Sequence, residues 1–265
     1  MSSNVTLDHV TSKDGTKIAF DRLGAGPPII LVCGGSTDRQ ANAALADLLA
    51  EHFTVFNYDR RGRGDSGDTL PYAVGREVED IDAVVGAAGG SANLWGSSSG
   101  AALALEAVAS GSSITKLALW EPPYFVDDSY PKPPADTASV YRKFVAEGRR
   151  GDAVEFFMSK VVGLPPEFVA YAKSQPFWQG QEAIAHTLAY DAEIMGDYSL
   201  ATERLAGIAT PTLVLTGGSS FPFMHAAAKA IAAAIPGARH QLLEGQEHNV
   251  APEVMAPALR EFFAG

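Results

Sequence analysis

One cysteine in 265 residues, Cys33, leaves no partner for an intramolecular disulfide and too few thiolates for a cysteine-rich metal site. Positive charge is also scarce: 20 Lys and Arg stand against 31 Asp and Glu, for a formal net charge of −11. No basic block offsets that balance, and binding to a nucleic-acid backbone needs concentrated positive charge, so no nucleic-acid partner is expected. Long apolar runs are missing as well. None approaches the roughly 20 residues of a membrane-spanning helix, so no membrane partner is expected either. The stretch Met1-Ser2-Ser3-Asn4-Val5-Thr6 has neither the basic nor the apolar region of a secretion signal, and a cytoplasmic location is the expectation. A last absence is local. Thr216-Gly217-Gly218-Ser219-Ser220-Phe221-Pro222 follows an apolar run yet holds no carboxylate.

What is present reads as one large α/β domain with an insertion. A chain of this length buries about three-quarters of its unfolded surface and needs no disulfide or metal to stay folded. Val10-Thr11 and Lys17-Ile18-Ala19-Phe20 flank Asp14-Gly15, the pattern of a hairpin. Pro27-Pro28 introduces Ile29-Ile30-Leu31-Val32, a short continuous apolar run of the kind found in buried parallel strands. A helix over 41–51, the strand Phe53–Tyr58, a helix over 78–88 and the run Ala92–Trp95 follow. The strand Ile114–Trp120 stops at Pro122-Pro123. From about Tyr124 to Leu205 the chain is helical and aromatic-rich with no convincing strand, which predicts a helical cap over 124–205. The core, 1–123 and 206–265, resumes with the strand Thr212–Leu215, a helix over 224–235, the strand Ala238–Leu243 and a helix over 254–263. Strands alternating with helices predict a mostly parallel twisted sheet covered on both faces.

The chemistry centres on Gly96-Ser97-Ser98-Ser99-Gly100, set between the strand at Ala92–Trp95 and the helix-like run Ala101–Val108. A glycine-flanked serine between strand and helix is the context of a nucleophile elbow, a sharp turn that holds the hydroxyl exposed at the strand's carboxyl end. A serine hydroxyl needs a general base. Among six histidines, His248 fits best, in the loop Glu244-Gly245-Gln246-Glu247-His248 between the final strand and helix. Donors for a developing oxyanion are expected from the Ser99 amide and from Cys33-Gly34-Gly35-Ser36, with Gly35 first and Gly34 beside it. Ser36 and the cap histidine His186 are candidate substrate contacts, and Cys33 reads as a small buried residue. For the acid, Glu121 stands at the carboxyl end of the strand after the elbow helix. There it can orient His248 and stabilise the imidazolium. Asp127, Asp128 and Asp191 belong to the cap and are weaker candidates. One motif competes: Gly62-Arg63-Gly64-Asp65-Ser66-Gly67 matches G-x-G-x-x-G, but Thr69-Leu70-Pro71-Tyr72 follows where a dinucleotide fingerprint opens a helix.

Taken together these pieces resemble the α/β-hydrolase superfamily. Asp59-Arg60-Arg61-Gly62-Arg63-Gly64-Asp65-Ser66 is similar to its D-x-x-G-x-G-x-S loop, and the resemblance spans essentially the whole chain. It implies an acid after the strand that follows the cap, where Ser219-Ser220 now stand. Within the superfamily, Trp95–Gly100 and Trp120-Glu121-Pro122 resemble the zearalenone lactonases, a group that takes its acid as a glutamate at the Glu121 position. That likeness implies Trp178, in Pro176-Phe177-Trp178, as a substrate contact. The loop at Cys33 departs from the usual His-Gly, and the chain also resembles a broad set of small actinobacterial hydrolases.

The expected activity is a serine hydrolase acting on an apolar carboxylic ester or lactone through an acyl-enzyme, with no cofactor. Ser98 is the nucleophile, His248 the base and Glu121 the acid. The alternatives are a C–C bond hydrolase or cofactor-free haloperoxidase-like enzyme on the same triad, and a weakly catalytic ligand-binding protein of the same fold. The aromatics Phe156, Phe157, Phe168, Phe177, Trp178 and Tyr190 suit an apolar pocket or the packing of the cap. Oligomeric state is open, a homodimer included.

Overall fold

The structure is a computed structural model that describes residues 5–128 and 130–265. Among these residues eight strands form one sheet: β1 (Thr6–Thr11), β2 (Lys17–Leu23), β3 (Pro28–Val32), β4 (Thr54–Tyr58), β5 (Ala92–Ser97), β6 (Ile114–Trp120), β7 (Thr212–Gly217) and β8 (Arg239–Leu243). Their spatial order is β1-β2-β4-β3-β5-β6-β7-β8. The pairs β1/β2 and β2/β4 are antiparallel, and every pair from β4/β3 onward is parallel. Helices α1 (Ala43–Leu49), α2 (Val74–Ala87) and α3 (Ser99–Ala109) join the early strands. Between β6 and β7 lie α4 (Thr137–Ala146), α5 (Arg150–Phe156), α6 (Pro166–Lys173), α7 (Trp178–Ala183), α8 (Leu188–Met195) and α9 (Thr202–Leu205). Helices α10 (Pro222–Ala234) and α11 (Pro252–Ala264) complete the core. Among the described residues no helix is long and apolar enough to cross a membrane.

The continuous apolar runs read from the sequence are strands buried on both faces. Because strand side chains alternate, Ile30, Val32, Leu94, Leu117 and Leu119 pack with α2, α3 and α10, while Ile29, Leu31, Trp95, Ala118 and Trp120 pack with α1 and α11. Helix boundaries shift by a few residues. The stretch expected as one helix from 41 opens as a 3₁₀ turn at Arg39–Asn42, capped by the Asp38 carboxylate on the Gln40 amide at 2.9 Å, before α1 begins. Helices α10 and α11 start earlier than the periodicity suggests, each with proline in its first turn, where the missing N–H costs nothing.

Register places the chemistry. Val32 pairs with Gly96, Ser97 with Trp120, Trp120 with Leu215, and Gly217 with Leu243. The carboxyl ends of five parallel strands therefore lie along one edge, and their following loops carry Cys33–Ser36, Ser98, Glu121, Gly218 and His248. The cap has its own apolar core, including Tyr141, Val154, Trp178, Leu188 and Tyr190, and its helix α8 packs on α3.

Helix α3 is sunk deep into the fold, with Ala101, Ala102, Leu103 and Ala104 fully buried. Its glycine is there for contact rather than flexibility: a Cβ on Gly100 would strike the carbonyl oxygens of Val32 and Cys33. Gly86, exposed in α2, has open space around it. The two sites should therefore respond to alanine with opposite sign. Gly86→Ala is expected to stabilise by about 0.5–1 kcal/mol through helix propensity. Gly100→Ala should destabilise by about 1–3 kcal/mol through overpacking. Denaturant unfolding of the two variants measures both.

Candidate active site

Ser98 leaves β5 and enters α3 with φ 54° and ψ −126°, a region non-glycine residues avoid. Its amide donates to the Trp120 carbonyl at 2.8 Å, which holds the turn against β6. The flanking glycines do not supply the strained dihedral; Ser98 bears it alone. They clear the space instead, since a Cβ on Gly96 would strike the Gly100 carbonyl oxygen as strand and helix close up.

Glu121 sits one residue past β6 and is also left-handed, with φ 46°. Its amide donates to the Leu215 carbonyl at 3.2 Å. The carboxylate is fully buried and has a partner for each oxygen: Oε1 accepts from the Gly217 amide at 2.8 Å, and Oε2 lies 2.6 Å from His248 Nδ1. With Nδ1–H donating to Glu121, Nε2 is left as the basic nitrogen of a neutral imidazole. The His248 backbone is tied down as well, its carbonyl accepting from Trp120 Nε1 at 2.8 Å. Thus the strand end without a carboxylate, at Gly217, contributes an amide to a carboxylate delivered from the neighbouring strand.

The loop after β3 is clamped from behind. Arg63 Nη1 donates to the Gly34 carbonyl at 2.6 Å, and Thr37 Oγ1 donates to the same oxygen at 3.0 Å. In a planar trans peptide the N–H points opposite the C=O, so the Gly35 amide faces away from Arg63. Ser99 begins α3, where the first amides have no partner within the helix. Cys33 is fully buried, and burial pushes its thiol up despite Arg63 and Arg60 nearby, so it stays a neutral packing group.

Sequence reasoning missed what lies behind this loop. Arg60, Arg61 and Arg63 are all buried. Arg61 pairs with Asp80 and Asp14, while Arg60 forks onto Glu77 at 2.7 and 2.8 Å. Asp191, weighed above only as an alternative acid, comes from α8 and closes the cluster. Its Oδ1 accepts from Arg60 Nη1 and from Ser99 Oγ, each at 2.8 Å, and its Oδ2 accepts from Arg63 Nη2 at 2.8 Å. Burial alone would raise this carboxyl, but Arg63 and Arg60 hold it below the ordinary carboxylate value. The sequence signal for the arginines alone was three of them within four residues, directly after the apolar strand β4. The glycine motif there belongs to the same construction: a Cβ on Gly64 would strike the Asp59 carboxylate, which itself binds Arg39 and the Asp65 amide.

A cavity of about 530 Å³ opens over these groups, with Gly34, Gly35, Ser98, Ser99, Asp191 and His248 in its wall. The rest is mostly apolar, including Trp95, Trp120, Phe125, Phe157, Met195 and Phe223. Three expected substrate contacts lie outside that wall. Trp178 packs in the cap's own core and donates from Nε1 to Glu182 at 3.0 Å. His186 turns to Asp68 at 3.5 Å. Ser36, itself left-handed at φ 55°, is bound to Gln181 through both its hydroxyl and its carbonyl. Of the six cap aromatics singled out, Phe157 alone lines the cavity. Phe156, Trp178 and Tyr190 pack within the cap, and Phe168 and Phe177 are exposed. Among the described residues no cluster of His, Cys, Asp or Glu is arranged to hold a metal ion.

The Asp191 cluster makes a pH-dependent contribution to stability. Asp191→Asn removes the one carboxylate that pairs with Arg63 among the described residues, and breaking such a buried pair costs about 3–5 kcal/mol. A carboxyl held low in the folded state stabilises fully above its unfolded value of about 4 and loses that effect as pH falls below it. The stability gap between wild type and Asp191→Asn is therefore expected to be widest near neutrality and to shrink below about pH 4. Urea unfolding at a series of pH values reads it directly.

Comparison with known proteins agrees with this architecture. A curated relative, the probable oxidoreductase EphD of Mycobacterium tuberculosis, is 37% identical over 82 residues, and the match takes in 29% of this chain and 14% of that protein. An alpha/beta hydrolase from Sphaerobacter thermophilus is 54% identical, with TM-score 0.92 over 97% of this chain and 100% of that one. Two further structures share the fold at lower identity. The esterase RhEst1 from Rhodococcus is 22% identical with TM-score 0.71, over 98% of each chain. The 2-hydroxy-6-oxo-6-phenylhexa-2,4-dienoate hydrolase from Rhodococcus is 20% identical with TM-score 0.71, over 99% of this chain and 100% of that one. The family model described as alpha/beta hydrolase matches residues 29–259, and the chain belongs to that family.

Proposed function

We propose that the protein is a serine hydrolase that cleaves a neutral, apolar carboxylic ester or lactone. The observation that carries this reading is the 2.6 Å contact between Glu121 and His248 Nδ1, made beside a serine held at positive φ on the same cavity wall. In the proposed reaction His248 Nε2 takes the Ser98 proton while Oγ bonds to the ester carbonyl carbon. The carbonyl oxygen gains the electron pair and is met by the amides of Gly35 and Ser99. Collapse of that adduct breaks the bond to the alkoxide, which leaves with the proton from His248. Water, activated by the same imidazole, then releases the acid and restores Ser98. Glu121 orients the ring and stabilises its charged form.

The C–C hydrolase alternative meets an electrostatic objection. The dienoate named for the Rhodococcus enzyme is a carboxylate, and among the described residues the cavity wall here includes no lysine or arginine. The nearby cations Arg60 and Arg63 are already matched by Glu77 and Asp191. An anionic substrate would be buried without a partner, which is costly. The activity named for the mycobacterial relative has no support in the glycine loop, because Gly64 is packed onto Asp59.

Turnover of p-nitrophenyl butyrate is the test. Ser98→Ala is expected to lower it at least about 10³-fold, and Glu121→Gln by roughly 10²- to 10⁴-fold. A neutral ester should also outrun a hemisuccinate ester of the same alcohol. Full activity of Glu121→Gln would remove the acid from its assigned role. A wild type that neither turns over esters nor reacts with a fluorophosphonate would instead be the ligand-binding protein.

A further inference from the structure

The two amides assigned to the oxyanion lie on separate segments, one after β3 and one opening α3. The β3/β5 ladder and the packing of Gly100 on the Val32 and Cys33 carbonyls bring the segments together, and one side chain links both. Asp191 accepts directly from Ser99 Oγ, and through Arg63 it holds the Gly34 carbonyl, the other face of the peptide that bears the Gly35 amide. No side chain intervenes on the loop, since even a Cβ on Gly35 would lie 3.3 Å from Asp191 Oδ2. Yet Asp191 belongs to neither segment. It is carried by the cap, 92 residues beyond Ser99.

We propose that Asp191 is a positioning residue for the oxyanion donors, so that the docked cap sets the geometry beneath the reacting carbonyl. This rests on the serine-hydrolase reading. The arrangement goes beyond what holding the cap in place requires. A second latch between cap and core already exists away from the loop: Tyr190 donates to Asp68 at 2.7 Å, His186 faces the same carboxylate, and the rings of Tyr190 and Tyr72 stack at 3.8 Å. The Asp191 contacts differ from that latch in what they hold. Three donors converge on two oxygens, from Arg60, Arg63 and Ser99, which specifies position in three directions. An asparagine there would turn its NH₂ against at least one of these donors, and the carboxylate's grip on loop and helix would be lost.

The experiment compares Asp191→Asn with Asp68→Asn in the full-length protein, using p-nitrophenyl butyrate and a pair of ketones. An alkyl trifluoromethyl ketone adds Ser98 Oγ at its carbonyl carbon and passes the serine proton to His248. Its oxygen then rests as an alkoxide between the donors. The matching methyl ketone fills the cavity without adding. Asp191→Asn is expected to lower kcat and trifluoromethyl ketone affinity together by about 10- to 100-fold, as a small misplacement does. KM and methyl ketone affinity should stay within about threefold. Asp68→Asn should leave all four within about threefold. The proposal is overturned if Asp191→Asn lowers the melting temperature but not these two quantities, or if Asp68→Asn reproduces its losses. Should Asp191→Asn fail to fold, Ser99→Ala keeps the amide and removes only the hydroxyl that Asp191 accepts from. It should show the same paired loss, about 5- to 10-fold, and an unchanged profile overturns the proposal. If Ser98→Ala remains active in this assay, the hydrolase reading itself has failed. An inactive Ser98→Ala beside a normal Asp191→Asn defeats the positioning role alone.

Discussion

The amide of Ser98 donates to the carbonyl of Trp120, and this bond is the constraint from which the rest of the site follows. It extends the β5/β6 ladder by one rung into a residue that has already turned out of the strand. The rung fixes the strained dihedral of Ser98, a conformation that costs on the order of 1–3 kcal/mol and persists only where its surroundings over-determine it. It also fixes the chain just before Glu121, which turns left-handed in its own right and bonds its amide to Leu215. The register then passes to β7, whose last residue, Gly217, returns an amide to the Glu121 carboxylate. Three strand ends are thus locked by backbone donors, and from that frame Glu121 meets His248 while Ser98 and His248 line the same cavity.

Charge is arranged in two layers of opposite character. Beneath the reacting groups lie buried arginines with their carboxylates; above them lies a mostly apolar cavity. Replacing such buried ion pairs with apolar residues of similar volume is often neutral or better for stability. Here their evident effect is geometric. Arg39 and Asp59 shape the loop after β4, Arg60 joins α2 to the cap, and Arg63 reaches the carbonyl of Gly34. Arg60 and Arg63, the two that reach Asp191 at the cavity wall, are balanced by Glu77 and Asp191, so neither is left as an unpaired cation beneath the reacting groups.

Much of the fold was legible because parallel strands are short apolar runs bounded by Pro and Gly, and because a serine between glycines at a strand–helix junction has few other uses. Glu121 was reached by elimination, from a missing carboxylate at 216–222, and the structure places it against His248. The Asp191 cluster was not legible. Asp191 lies 128 residues from Arg63 and 131 from Arg60 in sequence, and no local pattern ties a cap aspartate to a core arginine. Trp178, His186 and Ser36 show the converse limit. Residue type and likeness to a family suggested contact with substrate, but a helix as short as α7, a single turn at Ala185–Thr187 and the loop after β3 carry no periodicity that declares which side chain meets the cavity. Tertiary packing decided that, turning Trp178 toward Glu182 and His186 toward Asp68.

The position of Glu121 has a consequence for how the molecule can change. Nucleophile and acid lie 23 residues apart on one uninterrupted strand–helix–strand unit, and the cap is threaded in only afterward. A carboxylate placed after β7 would put the whole insertion between the two groups, so every change in cap length would have to be absorbed between them. In this chain the pair is local and low in contact order. The cap is therefore free to be lengthened, shortened or exchanged while the nucleophile and its acid keep their spacing, and the bond that such remodelling must preserve is the one between Asp191 and the arginines below.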